Sequence, residues 1–284
     1  MKPVNPEFRP DPNVPRDEMV AQQRDIAAAA VFSDDGPPRP EAIELTDPLD
    51  LEGQDTLPDS FDRERQTEST DSLGRGGRSA RSTAAPIVAG IDQAFEDETA
   101  VSAVVAIQGG RVVESVCART PLSIPYIPGL LAFREGEPIV EALAALDVEP
   151  DLLVFDGSGR IHYREAGIAT HVGVLYDVPA LGVTKNLLCG RPERSLDDPL
   201  AAGTRIAIRA NDEVETEPGT LLGYAVQTRQ FPNPQRSHVN PVYASPGHRV
   251  APETAVDLVE ALGGGYKLPE PIRLADRAAE ECKR

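Results

Sequence analysis

The run Leu152-Leu153-Val154-Phe155-Asp156 limits what this chain can become more than any other stretch. Four consecutive apolar residues read as a short strand buried on both faces. The strand ends on a carboxylate, and Gly157 and Gly159 are expected to leave open space beside it. Ile87-Val88-Ala89-Gly90-Ile91-Asp92 repeats the design. Taken singly, each Asp also suits an ordinary turn, because Asp bonds nearby backbone and Gly supplies positive φ. Taken together, two acids at the ends of two buried strands can meet in space. Close carboxylates repel unless a proton or cation lies between them. A hard divalent ion such as Mg²⁺ answers that need through carboxylate and water oxygens.

The remaining pattern supplies a sheet to carry those strands. Residues 87–95 and 102–108 read as strands, and 111–118 as a third after the Gly109-Gly110 turn. Residues 130–146 read as a helix interrupted near Gly136 and Pro138. A strand over 152–155, a helix over 168–177 and a strand over 181–184 follow, then strands at 205–210 and 221–228. Glu253 to Leu262 reads as the closing helix. This order gives an α/β fold with a mixed sheet in which the first and fourth strands are neighbours. Asp92 and Asp156 are then brought together.

Three regions are expected. Residues 1–33 form an arm with one helix. Residues 34–85 are rich in Pro, Ser/Thr and acids and end in the Arg75, Arg78, Arg81 cluster, a composition expected to be mostly disordered. Residues 86–284 form the folded domain. The chain of 284 residues carries 46 acidic and 28 basic residues, a net charge of -18, and its four lysines are Lys2, Lys185, Lys267 and Lys283. That balance suggests adaptation to concentrated salt, the composition of a halophilic source. It would argue against a nucleic-acid partner, but in molar salt the Debye length falls to about 3 Å and contacts outweigh the global field. Cys117, Cys189 and Cys282 show no disulfide or metal spacing, which fits a reducing cytoplasm. The apolar runs fall short of the roughly 20 residues of a membrane span.

Several motifs in one order carry a resemblance. They are Val88 to Asp92, then Pro125-Tyr126-Ile127-Pro128-Gly129-Leu130-Leu131 through Glu135, and Asp156 through Arg164 with Gly167 to His171. Gly182-Val183-Thr184-Lys185 and Asn240 through Arg249 complete the set. The chain resembles the endonuclease V family. The resemblance implies a ribonuclease-H-like mixed sheet flanked by helices. It implies hydrolysis of the second phosphodiester 3′ to deoxyinosine, leaving 3′-hydroxyl and 5′-phosphate ends, with Mg²⁺ as cofactor and Mn²⁺ as a substitute. Asp92, Glu135 and Asp156 match the family's metal-holding acids. Asp151 matches a further acid behind them, and Lys185 and His248 match positions near the scissile phosphate. His162 would orient an acid or touch the metal's surroundings, with a structural histidine as the alternative. Tyr126, held between Pro125, Ile127 and Pro128, matches a wedge that fills the gap left by a flipped base. Gly129, Leu131, Gly159 and Leu188 would line the base pocket. Tyr163, Thr170 and Thr184 depart from the usual pattern and touch no proposed ligand. His171 and His238 are read as structural. The expected partner is inosine-containing DNA, with inosine in RNA as the alternative, no membrane, and a monomeric protein. A non-catalytic nucleic-acid binder on the same fold is the reading from another class.

Overall fold

The computed structural model describes residues 1–43, 45, 49 and 84–283. Strand β1 (Val88–Glu96) pairs antiparallel with β2 (Thr99–Gln108), which pairs antiparallel with β3 (Arg111–Pro121). Gly109 and Gly110 take φ of 54° and 69° in the β2–β3 turn, as their lack of Cβ allows. Helix α2 (Leu131–Ala145), β4 (Leu152–Asp156), α3 (Ile168–Tyr176) and β5 (Ala180–Thr184) follow. Then come β6 (Arg191–Pro192), β7 (Arg205–Arg209), β8 (Leu221–Val226), β9 (Val242–His248), α4 (Pro252–Ala261) and α5 (Glu270–Cys282). One nine-stranded sheet has the order β3-β2-β1-β4-β5-β9-β8-β7-β6.

Its first five strands form the expected mixed sheet. β1 runs parallel to β4 with Ile91 opposite Phe155, so the next residues are neighbours: Asp156, the last residue of β4, and Asp92, which lies mid-strand rather than at the expected strand end because β1 runs on to Glu96 against β2. The edges suit solvent: β3 alternates exposed and half-buried positions with Arg111, Glu114 and Arg119, and β6 has two residues.

Alternation sorts the side chains onto two faces. Val88, Val154, Leu181 and Val183 pack with Ile272, Leu274 and Ala275 of α5. Ala89, Ile91, Leu153 and Phe155 pack with α2 and α3. Asp92, Asp156 and Lys185 share the parity of the first set and leave the sheet on the α5 face. Gly90 lets α5 come close, since a Cβ there would lie 2.1 Å from the Pro271 carbonyl oxygen.

Several expectations need correction. The expected break in α2 is absent: Gly136 and Pro138 lie inside a continuous helix. Proline removes one hydrogen bond at a cost of about 3 kcal/mol. Burial of Ile139, Val140 and Leu143, at roughly 1.5–3 kcal/mol each, outweighs that. Gly136 receives Pro10 of the arm, whose Cγ would lie 2.5 Å from an added Cβ. Three of these elements were not expected: the two-residue β6, strand β9 and the real closing helix α5. The two glycines beside Asp156 do not leave open space. A Cβ on Gly157 would lie 2.4 Å from Ile168, and one on Gly159 would lie 2.2 Å from the Pro246 carbonyl. They allow close packing instead.

The arm is docked. Its helix α1 (Arg16–Ala29) buries Met19, Gln23 and Ile26 on one stripe. The backbone N–H groups of Val4 and Asn5 donate to the Leu175 carbonyl at 3.0 Å, at the end of the wholly buried α3. The start of the expected disordered segment is also docked. Asp34 accepts from the Ala251 N–H at 2.8 Å and from Thr254 at 2.7 Å, at the start of α4. Ile43, Leu45 and Leu49 pack on the core. Residues 44, 46–48 and 50–83, with the Arg75, Arg78, Arg81 cluster, lie outside the described residues.

Cys117 on β3 and Cys282 at the end of α5 are disulfide-bonded, with Cα atoms 6.7 Å apart. This corrects the expectation of unpaired cysteines and removes the cysteine argument for a reducing compartment. The partners are 165 residues apart and only the packed fold shows them as neighbours. Among the described residues no helix is long and apolar enough to cross a membrane.

Candidate active site

Asp92, Glu135 and Asp156 line one cavity of about 100 Å³, with Ile91, Phe155, Ile139 and Ile168 as apolar walls. Asp92 comes from the middle of β1, and Asp156 from the end of the parallel neighbour β4. Glu135 comes from the first turns of α2, and its backbone carbonyl accepts a 3.1 Å bond from Gln93, the residue after Asp92.

The electrostatics of this group are unfavourable to bare carboxylates. Burial, with the negative charge of Asp156, raises the Asp92 carboxyl to about 8, against the 3.8 of an ordinary aspartate. Burial raises Glu135 to about 7, although Arg134 opposes the shift. Asp156 is raised as well, first by burial, with Lys185 pulling the other way. Two of the acids lean on resident cations. Lys185 Nζ lies 3.1 Å from Asp156 Oδ2, and Arg134 Nη1 donates to Glu135 Oε1 at 3.0 Å. Burial disfavours the Lys185 ammonium, but Asp156, with Asp92 and Asp276, holds its pKa above the usual lysine value.

Asp276 is the residue that sequence reasoning missed. It stands exposed on α5, and its charge is felt by Asp92, Asp156 and Lys185 alike. A signal was present: Ile272, Ala275, Ala279 and Cys282 fall at helical spacing.

Among the described residues no three His, Cys, Asp or Glu side chains converge closely enough to hold an ion as they stand. Glu135 and Asp156 border the cavity but are turned onto Arg134 and Lys185. The donor set nevertheless fits a hard divalent cation. It is all carboxylate oxygen, and a cation would offset both the burial and the Asp156 charge that raise Asp92.

Three expected site residues lie elsewhere. His248 pairs with Ala180, at the start of β5, while Lys185 follows its end. Five residues of strand separate them, about 16 Å. The His248 ring sits toward α3, where a Cβ on Gly173 would lie 2.8 Å from its Cβ. Its Nδ1 accepts from the Val31 N–H at 3.2 Å, and Nε2 faces Asp177 at 3.1 Å. Contacts with the arm on one side and with the end of α3 on the other thus occupy both ring nitrogens. Asp151 lies at the far end of β4, where its carboxylate accepts from the Ile87 N–H at 2.9 Å. His162 is buried, and burial lowers its pKa to about 4, so it is a neutral ring. Its Nδ1 accepts from the Arg164 N–H at 3.2 Å, and its hydrogen-bond partner on the other side is the Gly129 backbone.

The segment Pro125 to Pro128 lies at the surface. Tyr126 is 63% exposed, and Pro125 and Pro128 are exposed beside the half-buried Ile127. Gly129 is buried at a φ of 77°, where a Cβ would press on Tyr163. Leu131 is half-buried at the start of α2, and Leu188 is exposed after β5. Gly159 is covered by Pro246, and its N–H donates to Ser245 Oγ at 3.0 Å, so its backbone is occupied by β9.

A family model described as endonuclease V matches residues 77–277. The chain belongs to the endonuclease V family. An endonuclease V of Haloarcula marismortui is 54% identical over 282 residues, covering 99% of this chain and 97% of that protein. The crystal structure of endonuclease V from Streptomyces avermitilis is 28% identical, with a TM-score of 0.68, covering 98% of this chain and 96% of that one. A Ciona intestinalis endonuclease V, solved with a 24mer DNA containing an inosine followed by a ribo-adenosine, shares the fold at 24% identity and a TM-score of 0.63, covering 94% and 97%. Asp92, Glu135, Asp156, Lys185 and Asp276 all fall within the endonuclease V match, whereas the arm precedes it. The similarity to a haloarchaeal protein along almost the whole chain accords with the acidic, lysine-poor composition.

Proposed function

We propose that this endonuclease V recognises deoxyinosine in DNA and hydrolyses the second phosphodiester on its 3′ side with the help of Mg²⁺. The observation that carries the reading is the placement of Asp92 and Asp156 on adjacent parallel strands, just past the Ile91–Phe155 pair, bordering one cavity with Glu135 and raised by burial. Asp92, Glu135 and Asp156 would hold the metal, with Asp276 beside them on α5. When bound, Mg²⁺ supplies positive charge to the phosphate oxygens and makes a water more acidic; Mn²⁺ would serve in the same place.

The chain's own groups do the rest. Lys185 gives up its contact with Asp156 to a non-bridging phosphate oxygen, a match for a compact ammonium. Arg134 likewise releases Glu135. In the reaction a water oxygen forms a bond to phosphorus while the bond from phosphorus to the 3′ oxygen breaks. The departing 3′ oxygen takes a proton, and the phosphate remains on the 5′ end of the downstream piece. Tyr126, stiffened by Pro125 and Pro128, stacks where the flipped base was. Gly129 and Leu131 stand at the edge of that position. A DNA-bound relative in the same family supports the choice of substrate.

The test is strand cleavage in molar potassium chloride with Mg²⁺, using matched DNA and RNA strands with and without one inosine. Cutting of the inosine DNA at the second 3′ phosphodiester supports the reading. Cutting of RNA alone, or inosine-specific binding without cutting at any Mg²⁺ concentration, overturns it.

A further inference from the structure

The wedge segment does not rest on the catalytic sheet. Its apolar side chains Ile124 and Ile127, with Leu130, pack on a cluster that includes Met19 and Val20 of α1. Its last carbonyl, that of Gly129, accepts a 2.8 Å bond from Gln23 Nε2. Gln23 is fully buried and lies one helical turn beyond Met19 on the same stripe. Its Oε1 accepts from Arg164 Nη1 at 3.1 Å. The amide orientation follows from chemistry, because a carbonyl only accepts and a guanidinium only donates.

From Gln23 the polar contacts run in two directions. Arg164 leads through its N–H to His162, whose other partner is again Gly129, so the loop that follows Asp156 and the wedge segment meet at one buried amide. Outward, Arg164 Nε lies 3.2 Å from Glu215, which also takes a 2.8 Å bond from Arg24 of α1. The arm therefore fixes the end of the five-residue segment that carries Tyr126. It does so from outside the part of the chain that the family model matches.

We propose that Gln23 is a positioning residue for base recognition: it sets the pose of the Tyr126 segment against the loop after Asp156. This rests on the reading of Pro125 to Gly129 as the wedge. Gln23 touches neither the acids nor Lys185, so its effect falls on selection of the inosine strand rather than on the bond-breaking step. A buried amide that served only the packing of α1 would affect melting and leave selectivity alone.

The experiment compares full-length Gln23→Met, similar in shape but without donor or acceptor, with Ile26→Ala. The latter opens a cavity under the same helix, beside Ala166 and Val174 and away from the wedge. Measured are melting temperature, the ratio of affinities for inosine-containing and plain DNA, and the single-turnover cleavage rate at saturating protein. For folded Gln23→Met the affinity ratio drops about tenfold, equivalent to about 1.4 kcal/mol, and the cleavage rate changes by less than about threefold. Ile26→Ala keeps the wild-type ratio. A wild-type ratio in Gln23→Met, or an equal drop in Ile26→Ala, overturns the proposal. Should Gln23→Met fail to fold, Glu215→Gln at the exposed end of the network is the substitute. A drop of about two- to threefold supports the proposal and an unchanged ratio defeats it. Tyr126→Ala separates the two claims. If it keeps the wild-type ratio, the wedge reading itself is wrong; if it loses selectivity while Gln23→Met does not, only the role of Gln23 is wrong.

Discussion

Strand β4 carries an aspartate at each end, and the two have opposite surroundings. Asp151, just before the strand, accepts the Ile87 N–H and ties the start of β4 to the residue before β1. Its own N–H donates to the Ile87 carbonyl at 2.8 Å, which closes the pair. Asp156, at the other end, has a lysine on one oxygen, Asp92 beside it and Asp276 across from it. Burial raises its pKa, where an acid with adequate donors would be lowered. The same residue type thus serves as a clasp at one end and as part of a charge-starved cavity at the other. An acid that holds the fold is recognised by the amide it satisfies. An acid that awaits a cation is recognised by the neighbours that repel it.

The contrast can be broken in steps. Asp156→Asn should reduce inosine-strand cleavage by roughly a thousandfold, the scale for loss of a preorganised charge contact, while the protein remains folded by circular dichroism. Cleavage within tenfold of wild type would remove the functional meaning of that end of the strand. Asp276→Asn, measured in the same assay, should cost about 10- to 100-fold, the scale for a partner outside the immediate ligand set. Asp151→Asn should keep cleavage within about threefold and lower stability by about 1 kcal/mol, since one hydrogen bond at an exposed carboxylate is weakened. Denaturant unfolding reads the second effect, and a large activity loss there would erase the contrast. His248→Ala should do the same on the α3 face, with a stability loss of about 1–3 kcal/mol from the unmet Val31 N–H and cleavage close to wild type.

The sequence made one end of β4 more legible than the other. Short apolar runs that stop on Asp92 and Asp156 mark both acids, although only the second run ends its strand, as β1 continues to Glu96; the parallel neighbourhood of β1 and β4 follows from the order of elements. His248 was misplaced because β9 contains Ser245-Pro246-Gly247. Such residues argue against a strand, and here they occupy a bulge where the register against β5 shifts. Once β9 is known to run antiparallel to β5, His248 has to fall at the end away from Lys185. Asp276 escaped notice because α5 follows three glycines and Pro269, carries Pro271 in its first turn, and has alanine at three of its buried positions. Charge and punctuation hide its buried stripe in a one-dimensional reading. Gln23 could not be singled out in the arm's helix, since no local pattern announces a carbonyl more than 100 residues away.

The acid cavity also has a pH signature. The folded Asp92 and Glu135 titrate near 8 and 7, above their ordinary values of 3.8 and 4.5. Between those values the native state binds more protons than the unfolded one, so metal-free stability falls as pH rises from about 4 to about 8. A divalent cation that binds the ionised acids of the native state restores it, by mass action. The most direct measurement is the melting temperature at pH 5 and pH 8 in fixed molar potassium chloride, with chelator or with Mg²⁺, for wild type, Asp156→Asn and Asp151→Asn. Expected is a Mg²⁺-dependent rise larger at pH 8 than at pH 5 in wild type and Asp151→Asn, and strongly reduced in Asp156→Asn. A Mg²⁺ effect that is the same in all three proteins, or independent of pH, would contradict a metal site built on Asp92, Glu135 and Asp156.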